Sequence, residues 1–118
     1  MSTISIFGLG YVGAVTAAVL ADNGHRVIGV DVNASKVAMI NAGRSPIIEA
    51  GMPELIEKGV ASGRICATEN GRQAVLDSDL TIICVGTPSH ANGSLNLSYV
   101  QRVCQQIGRA LSAKPTYH

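Results

Sequence analysis

Apolar residues fall along this chain in short dense runs that alternate with longer segments of helical length. Ile4 to Phe7, led in by Thr3, is short, apolar and β-branched, as suits a strand buried on both faces. Val12 to Leu20 has helical length, and Val27-Ile28-Gly29-Val30 reads as a second strand. A helix is expected to begin at Asn33-Ala34-Ser35-Lys36 and to run to about Asn41. Another begins at Pro53 and reaches Lys58, with the proline near its first turn. Arg64 to Thr68 predicts a short third strand, Arg72 to Leu76 a brief helix, and Leu80 to Val85 the most apolar strand, which stops at Gly86-Thr87-Pro88. The last helix is expected from Asn96, as its N-cap, to Leu111, with Val100, Val103, Cys104, Ile107 and Leu111 on one face. Strands that alternate with crossover helices predict an α/β fold with a doubly wound parallel sheet. Its ligands should sit outside the carboxyl ends of the strands.

The turn after the first strand reads Gly8-Leu9-Gly10-Tyr11-Val12-Gly13. Glycines at that spacing occur by chance in many loops, so specificity comes from the order of strand, glycine turn, helix, strand and acid. Gly8 permits the tight turn, Gly10 lets the backbone approach a pyrophosphate, and Gly13 lets the helix pack on the strand. The helix start then offers free N–H groups and a dipole that favours an anion by ~0.3–1 kcal/mol when exposed and up to ~2 when partly buried. Asp31 ends the second strand 18 residues after Gly13, and its carboxylate can accept hydrogen bonds from adenosine ribose hydroxyls. The same charge repels a 2′-phosphate, and no arginine follows closely to accommodate one, so NAD is favoured over NADP. The alternative is that Asp31 caps the next helix. The fold expected is therefore a Rossmann-type doubly wound sheet.

Composition narrows the picture further. A chain of 118 residues can bury one core, and no linker or repeat divides it. Apolar residues at 47% with 3% aromatic and 14% charged fit an Ala/Val/Ile/Gly-rich α/β domain. A net charge of +1 gives no electrostatic basis for binding nucleic acid or anionic membranes. No apolar run approaches the ~20 residues of a membrane span, and the N-terminus lacks a charged n-region, so a cytoplasmic location is expected. Cys66, Cys84 and Cys104 are odd in number and widely spaced, which suggests neither disulfides nor a metal site. Cys84 is expected to act as a small hydrophobe inside a buried strand. His25 lies in the turn Asn23-Gly24-His25 with a structural role, His90 lies in a polar loop, and His118 is terminal and expected to be disordered.

Four segments together resemble the nucleotide-sugar 6-dehydrogenases, the family that includes UDP-glucose and GDP-mannose dehydrogenases. They are Ile6 through Gly13, Gly29-Val30-Asp31 followed five residues later by Lys36, Ser45-Pro46-Ile47-Ile48-Glu49, and Ile83-Cys84-Val85-Gly86-Thr87-Pro88. Ala74 to Asp79 and the stretch from Asn92-Gly93 through Leu97 to Tyr99 are closest to the GDP-mannose branch. The resemblance implies that Tyr11 and Val12 present backbone to the pyrophosphate, that Asp31 and Lys36 hold the adenosine ribose, and that Thr87 contacts the cofactor. Lys36 could otherwise be merely solvated, and Thr87 could simply end a strand.

Family members oxidise the C6 alcohol of a nucleotide-linked hexose to a carboxylate in two hydride transfers, through a thiohemiacetal and thioester on a catalytic cysteine. That cysteine lies in a Gly-Gly-Ser-Cys-type segment, which this chain does not contain. None of its three cysteines is therefore expected to be catalytic. Residues 1–118 are expected to be the N-terminal NAD-binding domain, ending before its last strands, with the substrate-binding domain absent. Glu49-Ala50-Gly51 replaces the family's usual Glu-Pro-Gly, which should loosen that loop. Two other classes remain open: a stand-alone NAD-binding module, and another dehydrogenase of the same fold. The strand end Val85-Gly86-Thr87-Pro88 and Lys36 argue against the second. A last strand with no covering neighbour should leave an open edge that invites self-association, directly or by swapping the final helix.

Overall fold

The computed structural model describes residues 2–85 and 97–118. β1 (Thr3–Phe7) stands inside a parallel sheet, flanked by β2 (Arg26–Val30) and β4 (Leu80–Ile83), with β3 (Ile65–Thr68) beyond β2. The strand order β3-β2-β1-β4 places Phe7 opposite both Val30 and Ile83, and Val30 opposite Thr68. The carboxyl ends of all four strands therefore form one rim, onto which the glycine turn and Asp31 both open.

Alternation along β1 sorts its side chains between two cores. Ile4 and Ile6 face the helices α1 (Tyr11–Asp22), α2 (Ala34–Asn41) and α3 (Met52–Ala61), where Leu9, Ile40, Met52, Ile56 and Ile65 close the larger core. Phe7 faces α4 (Gly71–Asp77) and α5 (Ser98–Ser112), with Ile28, Val30, Val75 and Ala110. α1 buries Gly13, Ala14, Ala17, Ala18 and Ala21, so only small side chains separate it from the sheet. Ser5 is fully buried on the strand between these apolar positions, and it is satisfied by Thr81 Oγ1 at 2.7 Å and by the Ser78 hydroxyl, which donates to it at 3.1 Å. That hydroxyl cluster resolves a polar residue in a core strand without an orphaned group.

The helices run slightly longer than the sequence suggests, because tertiary packing extends turns whose local pattern fades. α1 continues to Asp22, α3 from Met52 to Ala61, and α4 from Gly71 to Asp77. β4 is shorter than expected and is not buried, since among the described residues it has a neighbour on one side only: Leu80 is 40% and Ile83 41% exposed. Cys84 consequently lies just past the strand, half-buried against the larger core. α5 starts at Ser98 with Leu97 in the cap position and no side-chain cap hydrogen bond, and Asn96, expected to cap it, lies outside the described residues. The face α5 presents to α4 carries Val103, Ile107 and Ala110, while Cys104 and Leu111 are exposed. His118 is ordered, with Nε2 placed 2.6 Å from Thr81 Oγ1 and Nδ1 2.8 Å from Lys114 Nζ. The lysine must donate, so Nδ1 accepts and Nε2–H points at Thr81. Burial and then the Lys114 ammonium hold this imidazole below its usual range.

Candidate dinucleotide site

The three glycines of the first turn do different work. Gly8 has φ +101°, and a Cβ there would fall 2.6 Å from the Cys84 carbonyl oxygen. Its N–H donates to Val30 O at 2.8 Å, which ties the turn to β2. A Cβ on Gly13 would stand 1.7 Å from Gly8 O, so the close approach of α1 to β1 excludes any side chain there. Gly10, by contrast, has an ordinary φ of −75°, and no atom of the described residues lies within 4 Å of a built Cβ. The fold does not need glycine at this position.

That empty space lies in front of the start of α1. Gly10 is the N-cap of this helix and has no side chain to accept from its first N–H groups, and the first turn carries no acidic residue. Tyr11 and Val12 stand 58% and 62% exposed on that turn. A bare helix start of twelve residues beside an open glycine fits a pyrophosphate.

Asp31 follows β2 directly, half-buried, with both carboxylate oxygens engaged. Oδ2 accepts the Leu9 N–H and Oδ1 the Asn33 N–H, each at 2.8 Å. Each oxygen keeps a free lone pair for a ribose hydroxyl. Asp31 is not the cap of α2. That place belongs to Asn33, whose Oδ1 accepts from the N–H groups of Ser35 at 2.9 Å and Lys36 at 3.3 Å. Lys36 is half-buried in the first turn of α2 and makes no ion pair among the described residues. Thr87 lies outside the described residues, as does His90. The clamp from Asp31 to Leu9 was not visible in the sequence, where Leu9 is only the variable position between two glycines.

Other candidate chemistry sits elsewhere. A depression of about 760 Å³ lies at the loop between α2 and α3, walled by Arg44, Ser45, Ile48, Glu49 and Glu54. Ser45 braces this loop by donating to Ile47 O at 2.7 Å, and Gly51 with φ +84° starts α3. The three cysteines are free thiols, and burial pushes those of Cys66 and Cys84 up, away from reactive thiolate. No cluster of metal-ligating residues occurs among the described residues, and no helix there is long and apolar enough to cross a membrane. His25 has the structural role expected of it: its Nδ1 accepts the Ser2 N–H at 3.2 Å.

A parallel sheet whose first strand turns through a glycine fingerprint into a bare helix start, and whose second strand ends in an acid, is a Rossmann-type dinucleotide-binding domain. Residues 2–116 match the NAD-binding domain of the UDP-glucose/GDP-mannose dehydrogenase family. The chain belongs to that family as its NAD-binding domain, and NAD is the cofactor of that domain. It is 54% identical over 115 residues to the GDP-mannose 6-dehydrogenase of Azotobacter vinelandii, covering 98% of this chain and 26% of that protein. It is 40% identical over 109 residues to the UDP-glucose 6-dehydrogenase of Rhizobium meliloti, covering 92% of this chain and 25% of the relative. Its fold superposes on the GDP-mannose dehydrogenase of Pseudomonas aeruginosa, solved as a ternary complex, with TM-score 0.90 and 55% identity over 92% of this chain and 25% of that one. The UDP-glucose dehydrogenase of Pyrobaculum islandicum gives TM-score 0.92 at 44% identity, over 97% and 26%. The chain thus spans about a quarter of the length of the relatives it matches.

Proposed function

We propose that this chain is the cofactor-binding part of an NAD-dependent nucleotide-sugar 6-dehydrogenase that oxidises the C6 alcohol of a nucleotide-linked hexose to the uronate. Identity of 54% to a GDP-mannose 6-dehydrogenase against 40% to a UDP-glucose enzyme favours GDP-mannose as the substrate. The observation that carries the reading is Gly10: space that the described residues leave empty, set before a helix with no side-chain cap, is what a dinucleotide would fill. Bound NAD would supply the hydride acceptor for each of the two oxidation steps.

The chain's own residues bind and orient. Backbone N–H groups at Tyr11, Val12 and Gly13 face the pyrophosphate, while Gly8 and Gly13 hold the turn against β1. Asp31 accepts from the ribose hydroxyls and Lys36 adds a cation beside them. Thr87, at the family's cofactor-contacting position, completes the set. None of the three cysteines serves as the nucleophile of the family reaction, since burial disfavours the thiolate at Cys66 and Cys84 and Cys104 sits exposed on α5. Residues 1–118 act as one cofactor-binding domain, and free thiols together with an NAD site favour the cytoplasm. The open edge of β4, with Leu80 and Ile83 exposed, favours self-association through that edge or a swapped α5. A monomer in light scattering at high concentration would reject this last point.

Calorimetric titration with NAD and NADP at one fixed salt concentration tests the site. NAD should bind more tightly than NADP, and Asp31→Ala should lose it. Failure of the wild-type chain to bind either would remove the cofactor assignment from these residues.

A further inference from the structure

Resting on that cofactor reading, we infer that Gly29 is a positioning residue for the dinucleotide site: the hollow it leaves in β2 seats the Leu9 side chain, and that seat aims the Leu9 N–H at the Asp31 carboxylate. Gly29 is buried in β2 opposite Ile6 and has no positive φ, so its backbone does not call for glycine. A glycine inside a strand weakens it and often marks a close approach of another group. Here the group is Leu9. A Cβ on Gly29 would fall 2.8 Å from Leu9 Cδ2, 3.1 Å from Cδ1 and 3.4 Å from Cγ. Leu9 is fully buried in the larger core, so a displaced side chain has no solvent to swing into.

Three consecutive residues at the end of β2 hold the glycine turn, each by a different means. Gly29 provides the hollow, Val30 O accepts the Gly8 N–H at 2.8 Å, and Asp31 Oδ2 accepts the Leu9 N–H at 2.8 Å. Leu9 is therefore gripped twice, by its side chain below the rim and by its N–H at the rim. A Cβ at Gly29 pushes Leu9 outward until its methyl regains ordinary van der Waals separation, at 3.4 Å or more. Its N–H moves and turns with it, and a hydrogen bond weakens steeply as its angle closes. Asp31 Oδ2 then loses the donor that fixes its direction. The carboxylate is left turning about Oδ1, which the Asn33 N–H still holds at 2.8 Å, and no longer meets a ribose hydroxyl squarely. Asp31 touches the ribose, whereas Gly29 acts only through Leu9.

The test is calorimetric titration with NAD and with an NAD analogue that is 2′-deoxy in its adenosine ribose, on the wild-type chain, Gly29→Ala, Leu9→Val and the double variant, with Tm measured for each. The wild type should prefer NAD by about tenfold or more, the effect of one hydrogen bond to a charged group. Gly29→Ala should weaken NAD by about that factor and narrow the preference to about twofold or less, because the hydroxyl has lost its acceptor. Leu9→Val leaves part of the hollow empty and should narrow the preference to about threefold. The double variant exchanges the bulk between the two positions and should recover most of it. A merely structural glycine would lower Tm and leave the preference of the folded protein unchanged. A preference kept in Gly29→Ala, or in Leu9→Val should Gly29→Ala not fold, therefore overturns the assignment, as does a double variant no better than Gly29→Ala. A wild type that binds NAD without preferring the hydroxyl overturns it as well but keeps the NAD site. Failure of the wild type to bind NAD overturns the cofactor reading itself.

Discussion

Two helices start at the same rim of this sheet, from adjacent strands, and their first turns are opposites. α1 has glycine in the cap position, no acceptor from a side chain and no acidic residue in its first turn. α2 has Asn33 bonded to two of its N–H groups, with Asp31 holding the N–H of Asn33 itself. A glycine cap costs only about a few tenths of a kcal/mol against asparagine. α1 lacks a side-chain cap where, on the proposed reading, a bound pyrophosphate would take its place, whereas α2 supplies its own cap from Asn33. The absence of a cap is therefore the more informative feature: it marks the helix start kept for a ligand.

The contrast can be broken at several points. Gly13→Ala should have the largest effect, because its Cβ would overlap Gly8 O. We expect a loss of about 3 kcal/mol or more, read as a fall in Tm of roughly 10–20 °C. Asp31→Ala should weaken NAD binding by about 1.5–3 kcal/mol, some ten- to hundredfold in Kd, and should also destabilise the fold by releasing the Leu9 N–H. Gly10→Ala sharpens the comparison, since it should leave stability within about 1 kcal/mol of the wild type yet cut NAD affinity about tenfold or more. Equal affinity in that variant would show that the space is not used. Asn33→Ala should cost about 1 kcal/mol of stability in denaturant unfolding, and Asn33→Gly only a few tenths.

The smallest effect lies at the opposite end of the sheet, among Lys114, His118 and Thr81. The folded state holds the His118 imidazole below its ordinary value of 6.5, so the unfolded chain binds more protons. Its contribution to stability is fully present above 6.5 and is lost as pH falls below it, through the lower value that the folded state holds. His118→Asn should therefore lower Tm by about 1–2 °C near pH 7.5 and by less near pH 5. Equal shifts at both pH values would show that the imidazole does not titrate against this network.

The two edges of the sheet show how far the sequence could be read. β3 is blunted by Asn41, whose carboxamide donates to Ala67 O and accepts the Ala67 N–H, both at 2.9 Å, in imitation of a further strand. β4 is open, and the run from Leu80 to Val85 was apolar enough to suggest a buried strand. Its apolarity and its open edge were both expected, whereas the burial that apolarity suggests depends on a neighbour that local pattern does not specify. The final helix teaches the same: Cys104 and Leu111 share a spacing with the packed residues, yet only contact with α4 decides which of them are covered.

Strand, glycine turn, helix, strand and acid were all legible in the residues themselves, since each rests on local sterics and periodicity. So were the tight turn at Gly8, the close approach at Gly13 and the placing of Asp31 at a strand end. What the chain alone left undecided was which atoms crowd each glycine and where each carboxylate oxygen points. The backbone of Cys84, 76 residues away, closes the space beside Gly8, while none of the described residues closes the space at Gly10. Leu9 reaches the Asp31 carboxylate only because β1 and β2 pair in register, Phe7 against Val30. Steric exclusion and hydrogen-bond direction between residues distant in sequence exist only once the sheet has formed, and they divide a glycine the fold requires from one that a ligand would.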